Sequence, residues 1–145
     1  MGKHVHRVNT IKSKDGTIIH YEYRKGSSKV PLLLLHGLGG NSSSWKYLRG
    51  KPGVLIVDIR NHGRNSRDST FNFSLCVEDV EAVLIQEKIK KIDLAGNCLG
   101  AIIAAEYQQK NPSMVRNMIF IAPWAREIHR GNLFFRIYAR LMKLL

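Results

Sequence analysis

The chain has little cysteine, and it lacks the segments that direct a protein into or across a membrane. Cys76 and Cys98 are the only cysteines among its 145 residues, and they do not form a C-x-x-C pair. Two such thiols exclude a disulfide framework and favour a reduced, cytoplasmic setting. The first residues lack the apolar core of a signal peptide. No apolar run approaches the ~18 residues that a membrane span requires.

Acidic residues are also scarce. The chain has 11 Asp and Glu against 23 Lys and Arg, which gives a formal net charge of +12. Such a surplus favours anionic partners. The basic residues are nevertheless scattered, and their densest group, Lys88, Lys90 and Lys91, has no interleaved aromatic residues that could stack on bases. We therefore predict a solvated basic surface and no specific nucleic-acid partner.

The hydrophobic pattern predicts a single α/β domain. With 44% hydrophobic residues, the chain can bury one core. Residues 5–13 and 17–24 are β-rich runs on either side of the dipeptide Asp15-Gly16, which predicts a hairpin. Four continuous apolar runs follow, as is typical of parallel strands covered on both faces: residues 30–35, 53–57, 91–95 and 118–121.

Helical patterns alternate with these runs. A short one spans residues 42–48, with Ser42 or Ser43 as its cap. A longer one has Ser74 as its cap and an apolar face made of Leu75, Val77, Val80, Val83 and Leu84. Its early negative charge comes from Glu78, Asp79 and Glu81. A third spans residues 98–109, and the whole alternation favours an open, mostly parallel sheet in three layers.

Residues 94–101, LAGNCLGA, place a cysteine between two glycines where a predicted strand meets a predicted helix. A nucleophile elbow requires this arrangement, because strand and helix approach closely around a strained turn. Gly96 and Gly100 provide the small residues. Cys98 then stands at the exposed tip, at a helix N-terminus whose partial positive charge favours a thiolate. A cysteine packed in a glycine-flanked bend is the alternative interpretation.

A second glycine-rich stretch, HGLGG at residues 36–40, directly follows the first predicted parallel strand. Glycines at this position let backbone N–H groups face a site. We expect the N–H groups of Leu38 and Leu99 to stabilise a developing oxyanion. A phosphate-binding loop and a plain strand-to-helix turn are the competing interpretations. The phosphate-loop and dinucleotide motifs are absent, and we predict no cofactor and no metal ion.

Three motifs occur in the order H-G-L-G-G-x-x-x-x-W, D-I-R-N-H-G-R-N-S and G-N-C-L-G. Over residues 5–125 they resemble the α/β-hydrolase superfamily, in particular its esterases, lactonases, carbon–carbon bond hydrolases and lipases. The resemblance implies the α/β-hydrolase fold, with Cys98 at the nucleophile position and a structural turn at residues 58–63. It also implies a substrate pocket beside the oxyanion loop, lined by His36, Gly37, Gly39, Trp45 and Asn97.

Most members of this superfamily carry serine at the elbow, whereas this chain carries cysteine. Cysteine stands there in dienelactone-hydrolase-like enzymes and in polyester synthases. A thiolate attacks acyl carbon well, and the resulting acyl thioester can pass its acyl group to water or to another acceptor. We therefore expect hydrolysis of a small carboxylic ester, thioester or lactone. Cysteine-dependent acyl transfer and a catalytically inactive interaction module are the alternatives.

In this superfamily the catalytic acid and histidine follow the nucleophile in the chain, and no matching pair is found here. His129 and Glu127 fall where the family begins its lid, while His36 and His62 belong to motifs that the family uses structurally. We expect residues 1–125 to be an incomplete hydrolase core, the N-terminal part of a longer or two-chain enzyme. A second chain or a second copy would then complete the sheet.

The last residues, 126–145, have a different pattern. Arg136, Arg140 and Lys143 share one helical stripe, and apolar residues fill the remainder. This pattern is typical of a basic amphipathic helix. We expect it to begin a lid or cap that packs on the protein or on a partner. A weak contact of residues 131–145 with a membrane surface is the alternative.

Overall fold

The computed structural model of the chain describes residues 8–67 and 69–122, which form a six-stranded sheet with two α-helices. The strands are β1 (Val8–Lys12), β2 (Ile18–Arg24), β3 (Leu32–Leu35), β4 (Val54–Val57), β5 (Ile92–Asn97) and β6 (Val115–Ile121). The helices are α1 (Phe73–Gln86) and α2 (Leu99–Lys110), and short 3₁₀ turns lie at Ser42–Trp45 and Pro112–Met114.

The strands lie in the order β1-β2-β4-β3-β5-β6. β1 and β2 form the antiparallel hairpin, β2 pairs antiparallel with β4, and the remaining neighbours pair in parallel. The predicted open, mostly parallel sheet with an N-terminal hairpin is therefore confirmed. Because the parallel strands point the same way, the segments that follow β3, β4 and β5 meet at one edge, which we call the carboxyl edge. The opposite edge is called the amino edge.

Two predicted boundaries are wrong. β6 begins at Val115 rather than at Met118, because its first residues already pair with β5 beside a register shift. The helix predicted over residues 42–48 is only the 3₁₀ turn Ser42–Trp45. Its cap is Asn41, whose side-chain oxygen accepts a hydrogen bond from the Ser43 N–H at 2.8 Å.

Helix α1 also begins differently from the prediction. Its cap is Asn72 rather than Ser74, and the Asn72 side chain accepts the Leu75 N–H at 2.8 Å. Asn and Ser are almost equally good caps, so the sequence alone could not choose between them. Leu75 is only half-buried, and Cys76 takes a place in the core instead. The other four residues of the predicted apolar face are buried: Val77, Val80, Val83 and Leu84.

The two faces of the sheet hold separate apolar clusters. Helices α1 and α2 cover one face, where Leu33 and Leu55 join the larger cluster. On the other face Leu34 and Ile56 form a smaller cluster, against which Trp45 packs. Successive residues of one strand therefore enter different clusters, which explains why β3 and β4 are apolar at every position.

A fully buried arginine ties the loop after β4 to helix α1 and to the hairpin turn. Arg60 donates to both carboxylate oxygens of Asp79, from Nε at 2.8 Å and from Nη2 at 2.6 Å. Its Nη1 donates to Asp15 at 2.9 Å and to the Thr70 carbonyl at 2.8 Å. The hydrogen bond from Arg60 lowers the pKa of Asp15 to about 2. Asp79, predicted as a favourable charge near the start of α1, is instead the buried partner of Arg60.

The predicted basic amphipathic helix lies outside the described residues. Residues 126–145, with their expected roles as a cap or membrane contact, belong to that part, as do the first residues of the strand predicted over 5–13. Within residues 8–67 and 69–122, no helix has the length and apolar character needed to cross a membrane. The cap and the membrane contact therefore stay predictions.

We expect Asp79→Asn to lower the free energy of unfolding by about 3 kcal/mol or more, because it leaves the Arg60 charge buried without a carboxylate at its bidentate side. The matched control is Asp93→Asn. Asp93 pairs with the exposed Arg116 at 2.5 Å, and losing such a pair should cost less than about 1 kcal/mol. Urea unfolding followed by tryptophan fluorescence measures both variants, and equal losses would contradict the importance given to the buried pair.

Candidate active site

Cys98 stands at a sharp turn between β5 and α2. Its backbone has φ 51° and ψ −110°, a left-handed conformation that residues other than glycine rarely adopt. Its side chain is half-buried, whereas Cys76 is buried in the cluster on the helix face of the sheet. Burial raises the pKa of the Cys76 thiol. Of the two thiols, only that of Cys98 is partly exposed at the carboxyl edge.

The turn is so tight that neither flanking position admits a side chain. A Cβ atom on Gly96 would lie 2.5 Å from the carbonyl carbon of Gly100, and one on Gly100 would lie 2.6 Å from the His36 carbonyl oxygen. Real Cβ atoms do not approach other heavy atoms so closely. Helix α2 therefore rests directly on the ends of β3 and β5, and this contact requires glycine on both sides of the elbow.

The glycine-rich loop after β3 lies against the elbow. A Cβ atom on Gly37 would lie 3.3 Å from the Cβ of Cys98 and 3.3 Å from Nδ2 of Asn97. Within the described part of the chain, the N–H groups of Leu38 and Leu99 donate no hydrogen bond. Leu99 opens α2, so its N–H precedes the first bond within the helix. Both N–H groups are thus free to bind a further acceptor.

His36 supports this loop from beneath and is fully buried. Its Nε2 accepts the Ile59 N–H at 3.0 Å, and its Nδ1 lies 2.8 Å from the Gly37 carbonyl oxygen. An acceptor on one side and a donor on the other fit the neutral ring with its proton on Nδ1. The ring is 0% exposed, so the predicted place of His36 in a substrate pocket has no support among the described residues and stays a prediction. The ring positions the loop.

Asp58, at the end of β4, anchors the segment that follows the glycine-rich loop. Its Oδ1 accepts the Ser42 N–H at 2.7 Å, and its Oδ2 accepts the Arg64 N–H at 3.2 Å. Gly63 has φ 60°, and a Cβ atom there would lie 2.6 Å from Cγ of Asp58. The turn after β4 is thus structural, as the motif implied. The hydrogen bond from the Ser42 N–H to Asp58 was not predicted from the sequence. The one available signal was an aspartate directly after a buried strand.

The remaining predicted pocket residues lie in different surroundings. Gly39 is exposed and has φ 70°. Asn97 is half-buried and directly precedes Cys98 in the turn. Trp45 packs on the second face of the sheet, where its buried Nε1 has no hydrogen-bond partner among the described residues. Gly37 and Asn97 therefore lie at the elbow, while the Trp45 ring contributes to the core.

Among the described residues, no hydrogen bond joins the Cys98 sulfur to an imidazole. Both ring nitrogens of His36 are occupied, and Nδ1 of His62 lies 2.9 Å from the Arg60 carbonyl oxygen. The Nε2 atom of His62 is buried and has no hydrogen-bond partner among these residues. In the same part of the chain, no group of three or more His, Cys, Asp or Glu could hold a metal ion. His129, the one histidine after Cys98 in the sequence, lies outside the described residues.

We expect the folded state to lose stability as the pH falls below about 6.5. Burial lowers the pKa of His36 and of His62, whose ring centroids lie 5.5 Å apart. The unfolded chain then binds protons that the folded chain excludes, which costs up to about 1.4 kcal/mol per pH unit for each histidine. The Glu22 carboxylate, whose pKa is lowered, loses its contribution only at still lower pH.

Urea unfolding at about pH 7.5 and about pH 5.5 measures this dependence. His62→Gln removes one of the two titrating rings and should show roughly half of the wild-type slope. A free energy of unfolding that is equal at both pH values would contradict the neutral, buried state of the two rings.

The chain matches a family model and several characterised proteins. The family model is described as the alpha/beta hydrolase fold and matches residues 30–138. 1-Acylglycerol-3-phosphate O-acyltransferase ABHD5 of Sus scrofa is 34% identical over an alignment of 111 residues that covers 68% of this chain and 31% of that protein. Ethanol acetyltransferase 1 of Cyberlindnera jadinii is 33% identical over an alignment of 98 residues that covers 63% of this chain and 29% of that protein. The chain thus spans about three-tenths of the length of these two relatives.

A solved structure has the same architecture. An alpha/beta hydrolase from Novosphingobium aromaticivorans aligns with a TM-score of 0.72 and 26% identity, over 82% of this chain and 45% of that chain. The family match over most of the sequence agrees with the strand order and with the turn at Cys98, since all three are those of an alpha/beta hydrolase fold. The chain belongs to the alpha/beta hydrolase fold family.

Proposed function

We propose that this chain carries the nucleophile and the oxyanion loop of a hydrolase that acts on a small carboxylic ester, thioester or lactone. The observation that carries the proposal is the left-handed backbone of Cys98, in a turn that admits only glycine at positions 96 and 100. Strained residues other than glycine persist where the surrounding structure holds them, and they cluster at active sites. The position fits as well, because ligands of open α/β sheets bind at the carboxyl ends of the strands.

In the proposed reaction, the sulfur of Cys98 attacks the acyl carbon of the substrate, and the carbonyl electron pair moves to oxygen. The N–H groups of Leu38 and Leu99 are proposed to bind this oxyanion. The intermediate then expels the alcohol or thiol, which leaves with the proton of the Cys98 thiol, and an acyl thioester remains. Water attacks the thioester, releases the carboxylic acid and restores the thiol.

The acceptor in the second step decides between two reactions. Water gives hydrolysis, and an alcohol in its place gives acyl transfer from the same thioester. The two relatives are named as acyltransferases, one for 1-acylglycerol-3-phosphate and one for ethanol. Acyl transfer to an alcohol is therefore the alternative outcome at the same nucleophile, and neither reaction requires a cofactor.

The proton acceptor for Cys98 is proposed to lie outside the described residues. His36 is fully buried with both nitrogens occupied, and His62 is buried beside it. Because the chain spans 31% of the length of its Sus scrofa relative, we propose that a longer form or a second chain contributes the histidine and the acid. Residues 126–145 would begin the cap over the same site.

We expect one equivalent of p-nitrophenol to be released from a short p-nitrophenyl ester, with the acyl group left on Cys98. Turnover should be slow without the missing base, so the burst and the mass of the acylated protein are measured rather than the steady state. Cys98→Ala should lose both. Cys76→Ala is the matched control and should keep both, because the Cys76 side chain is only 3% exposed. A wild type that is never acylated, or a Cys98→Ala variant that is acylated equally fast, would contradict the proposal.

A role in assembly is the second candidate, and one observation favours it. β6 is the last strand of the described sheet, and it exposes Ile119, Phe120 and Ile121 to 52%, 48% and 42%. An exposed apolar edge strand is a template for pairing with another chain. A second chain, or a second copy of this one, is proposed to complete the sheet there.

For this second candidate, we expect the apparent mass in light scattering to rise with protein concentration. Ile119→Lys should shift the protein towards monomer, because a charge on an edge strand opposes strand pairing. Ile85→Lys is the matched control, since Ile85 is 74% exposed but lies on α1. A monomeric wild type at every concentration, or equal effects of the two substitutions, would contradict assembly through β6.

A further inference from the structure

Basic residues that are scattered in the sequence meet at the amino edge of the sheet. Six exposed cations end β2 or precede β3, β4 and β5: Arg24, Lys29, Lys51, Lys88, Lys90 and Lys91. We call this set the basic end. The strand register brings its segments together, because Leu32 at the start of β3 lies opposite both Val54 and Asp93. Arg24 in turn lies opposite Val54.

Backbone contacts fix these segments against one another. The Gly53 N–H donates to the Arg24 carbonyl oxygen at 2.7 Å, and the Asp93 N–H donates to the Pro31 carbonyl oxygen at 2.9 Å. A Cβ atom on Gly26 would lie 2.7 Å from the Gly53 nitrogen, so the turns before β3 and β4 touch. The positions that carry the cations are therefore held in one surface by the fold.

The charge of the basic end is not neutralised within the described residues. None of its six cations forms an ion pair there. Two carboxylates stand close to it in the sequence, but both already have other partners. Glu87 pairs with Lys25 at 3.7 Å, and Asp93 pairs with Arg116 at 2.5 Å. The surface therefore presents an excess of positive charge to solvent.

Lys88 occupies a position where the backbone favours another residue. Its φ of 55° lies in the left-handed region, and glycine is the usual residue in that conformation just after a helix. Ile85, whose carbonyl accepts the Lys88 N–H at 3.1 Å, is exposed beside it. The end of α1 thus combines a cation, kept at a conformational cost, with an apolar side chain that can enter a lipid headgroup layer.

We propose that the basic end docks the protein on a bilayer that contains anionic phospholipids. Five of its six cations are lysines. Lysine is depleted at protein–protein interfaces, which argues against an acidic protein as the partner. Residues 88–91, which carry three of these lysines, include no aromatic residue that could stack on bases. A group of lysine point charges on one surface fits the diffuse negative potential of such a bilayer.

Docking at this edge is independent of the chemistry proposed for the site. β5 begins beside the basic end and leads to Cys98 at its other end. A protein held by its amino edge would therefore keep its carboxyl edge open to water. Because the two edges are separate, Cys98→Ala should bind vesicles as the wild type does, and the failure of one proposal leaves the other standing.

The test is sedimentation of the 145-residue chain with vesicles of phosphatidylserine mixed with phosphatidylcholine. The wild type should bind them at low salt, release them as salt rises, and ignore vesicles of phosphatidylcholine alone. Removing one lysine charge should weaken binding by about fivefold, so the triple variant Lys88→Gly, Lys90→Gln, Lys91→Gln should lose at least about tenfold. Lys88→Gly by itself should raise the melting temperature, because glycine adopts the left-handed backbone of this position without strain. It should still weaken vesicle binding, which shows that the loss comes from the missing charge and not from unfolding.

The matched control is Lys12→Gln, Lys46→Gln, Arg67→Gln, which removes the same charge from exposed residues outside the basic end: Lys12 is the last residue of β1, and Lys46 and Arg67 follow β3 and β4 in the chain. It should bind within about twofold of the wild type. If the two triple variants lose equal vesicle affinity, binding depends on net charge alone and the proposal is overturned. If the Lys88, Lys90 and Lys91 variant binds as the wild type does, another segment binds the vesicles and the proposal is also overturned. Tighter binding to duplex DNA at the same salt, with the same loss in the first variant, would assign the surface to nucleic acid.

Discussion

Helix α2 crosses the ends of β3 and β5 with no room for a side chain between the backbones. This contact compresses the link between strand and helix into a single residue, and that residue, Cys98, takes a left-handed conformation. The same contact places the loop after β3 beside the elbow, with Gly37 against the Cys98 side chain. The thiol and the two free N–H groups are therefore positioned by backbone packing, which cannot be relaxed without separating α2 from the sheet.

Buried polar side chains hold the loops around this contact. His36 joins the glycine-rich loop to the segment after β4, and Asp58 joins that segment to Ser42. Arg60, two residues after Asp58, joins the same segment after β4 to α1 and to the hairpin turn. Each of these groups would be costly to bury alone, but each has its hydrogen-bond partners in a neighbouring loop. The carboxyl edge is thus ordered by polar contacts at positions that apolar packing does not reach.

The two edges of the sheet carry different functional groups. The carboxyl edge gathers glycines, a partly exposed thiol and neutral imidazoles, whereas the amino edge gathers lysines without ion-pair partners among the described residues. The linear sequence hides this division, because each parallel strand takes the chain from the amino edge to the carboxyl edge and each helix takes it back. Six cations that are scattered in the sequence therefore meet at the amino edge of the fold.

The sequence by itself determined the features that depend on neighbouring residues. The hairpin followed from Asp15-Gly16, the buried strands from short apolar runs, and the elbow from glycines two positions on either side of Cys98. Tertiary structure decided the features that depend on distant partners. Asp79 turned inward because Arg60 came within reach from another loop, and His36 was buried because Ile59 supplied its second partner. The lysines converged because strand register, a property of non-adjacent segments, set their positions. Local patterns fix conformation, but only the assembled sheet determines which side chains are buried and which charges meet.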